Sequence, residues 1–427
     1  MPPSAGSIVA FLNRGGRAGK GSDARWRGAI CQAAGVSPAA GLHEEPLLPR
    51  YGRKSLAEVL PAALAALGVP TEPGAGGPSE VVLPPVRALA LLLIDGLGAD
   101  LLRRFAEDAP FLAGLPDAGP LTAGFPSSTS ISLVSLGTGT PPGAHGVVGI
   151  SFRTGDELLD SLRWTTHGTA DNVDRREEHP PEEVQSLPTA FERATAAGVA
   201  VTVVSQRQFR GSGLTRAALR GGRFRGTFAL GDLAAEVVTA VERPGRQLCY
   251  GYHSELDGLG HLYGPGSLPW RMQLAQVDRL AARIAEDLPS GALLAITGDH
   301  GMVEVDRRFD FDRHTDLRRG VLLLGGDPRA RHVYTRAGAE ADVLAIWREV
   351  LGDSAWVLPR AEAVARNWFG PVAERTTERI GDIVVATRGT AAVTRSEAEP
   401  VISGMPGQHG SLTPAEQLVP LLLSGPS

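Results

Sequence analysis

Three short apolar runs, Ala88 to Ile94, Val199 to Val204 and Ala292 to Thr297, decide most of what this chain can fold into. Each is too short for a buried helix and is closed by its own breakers, the signature of a strand buried on both faces of a parallel sheet. Gln247 to Tyr252 reads as a weaker fourth strand. Helical patterns at Leu187 to Ala197, Ala234 to Val241 and Met272 to Leu288 separate them, so strand and helix alternate as in a doubly wound α/β fold. Such folds carry their ligands at the carboxyl ends of the strands.

The flanks are less regular. Residues 1–45 mix Gly, Ala, Ser and Arg without a period and read as a disordered extension. From Ser55 the pattern LAEVLPAALAALG reads as an amphipathic helix closed by Gly68. Strands at Gly320 to Leu324 and Ile383 to Ala386, with a helix at Ala339 to Leu351, read as an α+β cap inserted over residues 307–400. Residues 46–306 and 401–427 then form the α/β core.

Composition excludes several classes of protein. With 427 residues, 43% hydrophobic and 21% charged, the chain has ordinary globular content. A net charge of -5 lacks the basic footprint of a protein that grips nucleic-acid polymers, so none is expected as a partner. Only Cys31 and Cys249 occur, which rules out a disulfide framework and suits a reducing compartment. No run of about 18 apolar residues exists, and the first twenty residues have too short an apolar core for a secretory signal. The expectation is a cytoplasmic protein with no membrane partner; oligomeric state is not legible.

Five polar islands carry the chemistry. LLLIDGLG ends a strand at Asp95, with Gly96 and Gly98 to turn the backbone; alone, that is only a turn. FPSSTSISLVSLGTG places Thr129 where a short helix begins, and a Thr at that point is most often an ordinary N-cap. A hydroxyl at that end of a helix also feels the positive end of its dipole, and a metal can lower its pKa enough to make it a nucleophile. YHSELDGLGHLYGPGS sets Asp257 and His261 four apart in a Gly-rich loop after a strand. LLAITGDHGM delivers Asp299 and His300 together from a buried strand, which has few structural explanations, since both groups are costly to bury unpaired. MPGQHGSLTP offers His409 in a polar loop.

Four of these islands follow predicted parallel strands and so are expected to converge on one edge of one sheet. Three carboxylates, three imidazoles and one hydroxyl divide into two sites of the nitrogen and oxygen type that zinc suits. Two dications then balance Asp95, Asp257, Asp299 and a Thr129 alkoxide, leaving room for a monoanionic phosphodiester.

In their order and spacing, Asp95-Gly96, FPSST, TGTPPGAHG, DGLGH with YGP, DHGM and QHGS resemble the alkaline phosphatase superfamily, and within it the type I phosphodiesterase and nucleotide pyrophosphatase family. The likeness spans about Ala88 to Leu423. It implies a three-layer α/β/α sandwich with a mostly parallel central sheet and an inserted cap. It also implies two divalent metal ions, zinc by ligand type, with manganese or iron as alternatives. Asp95, Thr129, Asp299 and His300 would hold one ion, and Asp257, His261 and His409 the other. Thr129 would be the catalytic nucleophile, forming a phospho-threonine that water hydrolyses, and the substrate a small-molecule phosphate ester of nucleotide type. One position departs: Ser132 stands where eukaryotic members carry an Asn that contacts a phosphate oxygen. His145 matches a structural histidine of the family; His253, His314 and His332 receive no role. Arg207 and Arg210 could contact phosphate or be solvated surface, and Trp347, Trp356, Trp368 and Phe369 could stack on a base or fill a core of the cap. A phosphonate hydrolase or phosphomonoesterase of the same superfamily is the alternative activity, and a non-enzymatic binding protein the more distant one.

Overall fold

The computed structural model describes residues 45–70, 79–168 and 171–425. The extension expected over residues 1–45 lies outside them except for Glu45. The strands that matter here are β1 (Ala88–Ile94), β2 (Ala200–Gln206), β3 (Arg223–Thr227), β4 (Gln247–His253), β5 (Ala292–Thr297), β6 (Val321–Asp327), β7 (Ala330–Thr335), β8 (Ala355–Pro359), β9 (Ile383–Thr387) and β10 (Leu421–Ser424). Six make the central sheet, in the order β10-β5-β1-β4-β2-β3. All are parallel except β10, which runs antiparallel to β5. The sheet is thus mostly parallel, and β6 to β9 form a second, antiparallel sheet in the order β6-β7-β9-β8. Strand β3 has no apolar run to announce it, because it is an edge strand and only Thr227 is buried.

Side chains of β1 alternate between two apolar layers. Leu89, Leu91 and Leu93 join Val134 and Leu136 of helix α1 (Thr129–Thr138) and Phe191 on one face. Ala90, Leu92 and Ile94 join Leu233 and Val237 of α2 (Leu230–Glu242) and Leu274, Val277 and Ile284 of α4 (Leu268–Glu286) on the other. Burying each leucine contributes about 1.5–3 kcal/mol. This two-sided cover is why the strands read as continuous apolar runs. Among the described residues no helix is long and apolar enough to cross a membrane.

Register is what places the chemistry. Ile94 stands opposite His253 of β4, Leu93 opposite Thr297 of β5, and Val204 of β2 opposite Gly251. The strands stop nearly in line, so the residues that follow them emerge on one edge. Two expectations need correction. Only three of the five islands follow strands of this sheet; Thr129 instead begins α1, and the short strand before it, Leu121–Thr122, pairs with Leu418–Val419. Asp257 and His261 lie not in a loop but on helix α3 (Glu255–Tyr263). Gly258 and Gly260 do not break that helix, and Gly260 lets it pack tightly, since a Cβ there would sit 2.6 Å from the Met302 sulfur.

The second sheet has its own core, with Leu324, Val333 and Val385 against Trp347 of α5 (Glu340–Leu351). Trp368 and Phe369 pack edge-on against Phe125, with ring centroids 5.0 and 5.2 Å away. These buried aromatics fill cores and offer no face to a base. A fully buried ion pair ties this sheet to the last turn of the chain. Arg329, in the β6–β7 turn, donates to both carboxylate oxygens of Glu416 at 2.9 and 2.6 Å. Glu416→Ala should cost about 3–5 kcal/mol in urea denaturation, because it strands a buried guanidinium. The double variant Arg329→Met with Glu416→Leu should recover most of that; an equal loss in both would refute the pairing as the cause.

Candidate active site

The strand ends deliver three carboxylates into one buried space. Asp95 leaves β1, Asp299 and His300 leave β5, and α3 carries Asp257 and His261 side by side after β4. Gly96 has a φ of 75°, and a Cβ there would lie 3.0 Å from the Asp257 backbone, so only glycine lets β1 turn past α3. His409 arrives from the far end of the chain, on a loop stitched to the Thr129 loop: Ser127 N–H donates to the Gly410 carbonyl at 3.0 Å, and the Ser127 hydroxyl to the Ser411 carbonyl at 2.9 Å.

All seven residues singled out in the sequence meet here. The Thr129 Oγ1 lies 3.4 Å from Asp95 Oδ1 and 3.2 Å from His300 Nε2. Potential ligand atoms of Asp95, Asp299 and His300 lie within 4.8 Å of one another, and so do those of Asp257, His261 and His409. The two groups touch where the His300 and His409 rings stack, with centroids 3.6 Å apart.

Without a cation the arrangement is electrostatically unfavourable. Burial, then the Asp299 and Asp257 carboxylates, hold Asp95 well above the ordinary carboxylate range, and burial raises Asp299 as well. Asp257 Oδ1 and Asp299 Oδ2 are buried with no hydrogen-bond partner among the described residues. The imidazoles show the same tension. Each Nδ1 lies within hydrogen-bonding distance of a backbone carbonyl: His261 with Gly407 at 2.7 Å, His300 with Gly301 at 3.0 Å, His409 with Ser127 at 2.9 Å. Donation from Nδ1 puts the lone pair of every Nε2 into the site, and those of His261 and His409 then face each other at 3.1 Å. Burial and the neighbouring His300 and His261 hold His409 well below its ordinary pKa, in the neutral form that ligates. Orphaned carboxylate oxygens and opposed lone pairs are what divalent cations resolve, so the donor set fits one metal ion in each group.

The site opens on a cavity of about 580 Å³ lined by Asp95, Thr129, Asp257, His261 and His409 and, away from them, by apolar side chains including Leu133, Ile150 and Phe209. Several wall residues were missed in the sequence. Tyr252 donates its hydroxyl to Asp95 from the residue before the end of β4; its alternation with Tyr250 was the available signal. Asp327 accepts from Ser128 at 2.9 Å, and burial pushes it up to about 6. It ends β6, and nothing local links it to Thr129. Other candidates lie elsewhere. His145 is buried against Ser135 at 3.0 Å, and His332 lies 2.8 Å from the Val148 carbonyl. The Ser132 hydroxyl donates to the Asp299 carbonyl at 2.8 Å and is fully buried, so it is spent inside the fold.

The type I phosphodiesterase / nucleotide pyrophosphatase family model matches residues 89–412. The chain belongs to that family. The human ectonucleotide pyrophosphatase/phosphodiesterase family member 7 is 42% identical over 62 residues, which is 13% of this chain and 14% of that protein. Solved folds extend the likeness. Murine ectonucleotide pyrophosphatase / phosphodiesterase 5 covers 80% of this chain, and 88% of itself, at 17% identity and a TM-score of 0.61; a second structure of it is an inactive threonine-to-alanine variant in complex with AMP. Phosphonoacetate hydrolase from Sinorhizobium meliloti 1021 in complex with phosphonoformate covers 80% of this chain and 90% of itself, at 20% identity and a TM-score of 0.59. At these identities the structures establish the alkaline phosphatase-like fold that the family shares.

One wall of the cavity of this family member is an ionic cluster. His167 is held between Glu399, at 2.9 Å, and Asp160, at 3.5 Å, while Arg331 donates to both oxygens of Glu399 at 3.1 and 2.7 Å. Arg395 stands 3.9 Å from the same carboxylate. Burial opposes the charge on His167, but the Asp160 and Glu399 carboxylates outweigh it and lift the imidazole to about 9. A raised folded-state value means that this stabilisation is complete below the unfolded pKa near 6.5 and is lost as pH climbs through about 9. Thermal melts of wild type and His167→Gln should therefore differ by about 2–4 °C at pH 6 and converge by pH 10; a gap independent of pH would contradict the charged imidazole.

Proposed function

We propose that this protein hydrolyses phosphodiester or pyrophosphate bonds of small nucleotide-type substrates through a phospho-Thr129 intermediate, at a centre holding two divalent ions, zinc by ligand chemistry. The observation that carries this is the Thr129 hydroxyl, set at the first residue of α1 and within 3.4 Å of Asp95 and 3.2 Å of His300. Asp95, Thr129, Asp299 and His300 would hold one ion and Asp257, His261 and His409 the other. Bound there, such ions supply Lewis acidity, lowering the pKa of the attacking hydroxyl and neutralising charge on the phosphoryl and leaving oxygens.

The rest falls to the chain itself. Thr129 Oγ1 forms a bond to phosphorus as the bond to the leaving oxygen breaks, and Asp95 Oδ1 lies on the side from which the hydroxyl proton departs. The first N–H groups of α1 have no intrahelical carbonyl to bind, and Thr129 and Ser130 line the cavity, so their amides receive a non-bridging phosphoryl oxygen. That contact replaces the one which Ser132, turned to the Asp299 carbonyl, does not make. A second displacement by water frees Thr129, and two inversions retain configuration at phosphorus. The apolar side of the cavity suits an organic leaving group, and the AMP bound to the murine relative's variant supports a nucleotide-type ester.

Removing one oxygen tests this most directly. Thr129→Ala should lower turnover of bis-p-nitrophenyl phosphate by about three orders of magnitude or more, with metal content by elemental analysis largely kept. Wild-type-like turnover would remove Thr129 from the chemistry. A panel with p-nitrophenyl phosphate and phosphonoacetate should favour the diester; preference for either of the others would favour the monoesterase or phosphonate hydrolase alternative. Chelation should abolish turnover and lower the melting temperature, with zinc restoring both.

A further inference from the structure

The carboxylates of the two donor groups are held differently. In the first group each has one oxygen occupied by a protein donor. Asp95 Oδ2 accepts the Tyr252 hydroxyl, which leaves Oδ1, 3.4 Å from both Thr129 Oγ1 and His300 Nε2. Asp299 Oδ1 accepts the amides of Gly96 and His300 at 3.0 and 3.1 Å, which leaves Oδ2, 3.4 Å from His300 Nε2. In the second group Asp257 Oδ1 has no hydrogen-bond partner among the described residues, and both Asp257 oxygens lie near imidazoles: Oδ2 is 3.5 Å from His261 Nε2 and Oδ1 3.8 Å from His409 Nε2.

The first group is thus left with one donor atom each from Asp95, Thr129, Asp299 and His300. Single donors from four residues suit an ion that takes four ligands, as zinc does, whereas manganese and magnesium favour about six, mostly oxygen. A carboxylate free at both oxygens can bind through both and raise that number. Backbone amides prevent this at Asp299 whatever side chains surround it. At Asp95 it depends on one side chain. Tyr252 is buried at the penultimate position of β4, opposite Leu93 of β1, and its ring meets that of Phe209 edge-on with centroids 6.1 Å apart. A constrained strand and a packed ring therefore deliver the hydroxyl to the oxygen turned away from Thr129.

From this arrangement we infer that Tyr252 is a positioning residue that occupies Asp95 Oδ2, restricts Asp95 to one metal-binding oxygen, and so tunes the first group to a four-coordinate ion such as zinc. It rests on the two-ion reading of the site and adds what sets the choice of ion. Tyr250 provides the matched control, since it lies two residues earlier on the same strand, is fully buried, and has a hydroxyl with no partner among the described residues.

The test removes single hydroxyls from the full chain and reads metal binding without turnover. In competition titrations Tyr252→Phe should narrow the preference for zinc over manganese by about tenfold, the lower end of what losing a contact to a metal ligand does. Tyr250→Phe should leave that preference unchanged. Cobalt(II) reports coordination directly, because a four-coordinate ion lacks a centre of symmetry and absorbs visible light far more strongly than a six-coordinate one. Wild type loaded with two equivalents of cobalt should show the strong bands, and Tyr252→Phe should weaken them. A hydroxyl that only eased repulsion among the carboxylates would lower the melting temperature of the metal-free protein and leave ion preference and spectrum alone; that result, or equal shifts in Tyr250→Phe, would overturn the role. So would a wild-type cobalt spectrum with only weak six-coordinate bands, which decides the matter even where Tyr252→Phe does not fold. Wild-type protein that binds neither zinc nor cobalt would instead sink the two-ion reading beneath it.

Discussion

Three carboxylates and three imidazole lone pairs confined to one buried space repel each other, and much of the architecture exists to hold them there. Asp95 and Asp299 are buried and Asp257 nearly so, and among the described residues no arginine or lysine pairs with them. Burying an uncompensated charge costs several kcal/mol. The fold withstands this because the backbone around the site is rigid: β1 and β5 are paired along nearly their whole length and sealed by helices on both faces. A cation held there would convert the same repulsion into affinity, and the carbonyl contacts at each Nδ1 aim the donors inward for it.

Close backbone approach is the second requirement. The loops after β1 and β5 come together so tightly that a Cβ on Gly98 would lie 2.7 Å from the Gly301 Cα, and one on Gly301 would lie 1.9 Å from the Ala415 carbonyl. Gly301 N–H donates to the Glu416 carbonyl at 2.8 Å, so the last turn of the chain clamps the strand-end loops from outside. The same Glu416 receives Arg329 through its side chain. One residue thus couples the strand-end loops to the second sheet, and the cavity wall on that side cannot shift without disturbing a buried ion pair.

The parts of this molecule that were legible in sequence are those whose physics is local. A strand buried on both faces must be apolar, so β1 and β5 are bounded to the residue, and the Asp95 that closes the first run and the Asp299-His300 pair just past the second announce themselves. Edge strand β3 was invisible because exposure removes that requirement. Asp257 and His261 were recognised as a pair but placed in a loop, since two glycines and a helix of nine residues look locally like a turn. Only packing against Met302 shows why small residues are needed in that helix. That Thr129 begins a helix is legible in its own segment, but nothing local joins it to Asp95 and His300, because it follows no strand of the central sheet.

What remained hidden shares a cause. Asp327, Glu399 and His167 reach the cavity from segments far from the strand ends in sequence, held there by hydrogen bonds and ion pairs spanning between 68 and 232 residues. Asp95, Asp299 and His300 sit at the ends of the most buried and most constrained strands, where small displacements are costly. The wall opposite is assembled from β6, from the strand Glu157–Asp160 and from the chain segment that returns to the core. Substitutions there can reshape the cavity while the register of β1, β4 and β5, and with it the placement of Asp95, Asp257 and Asp299, stays fixed. A family built on this plan can vary its substrates without rebuilding its chemistry.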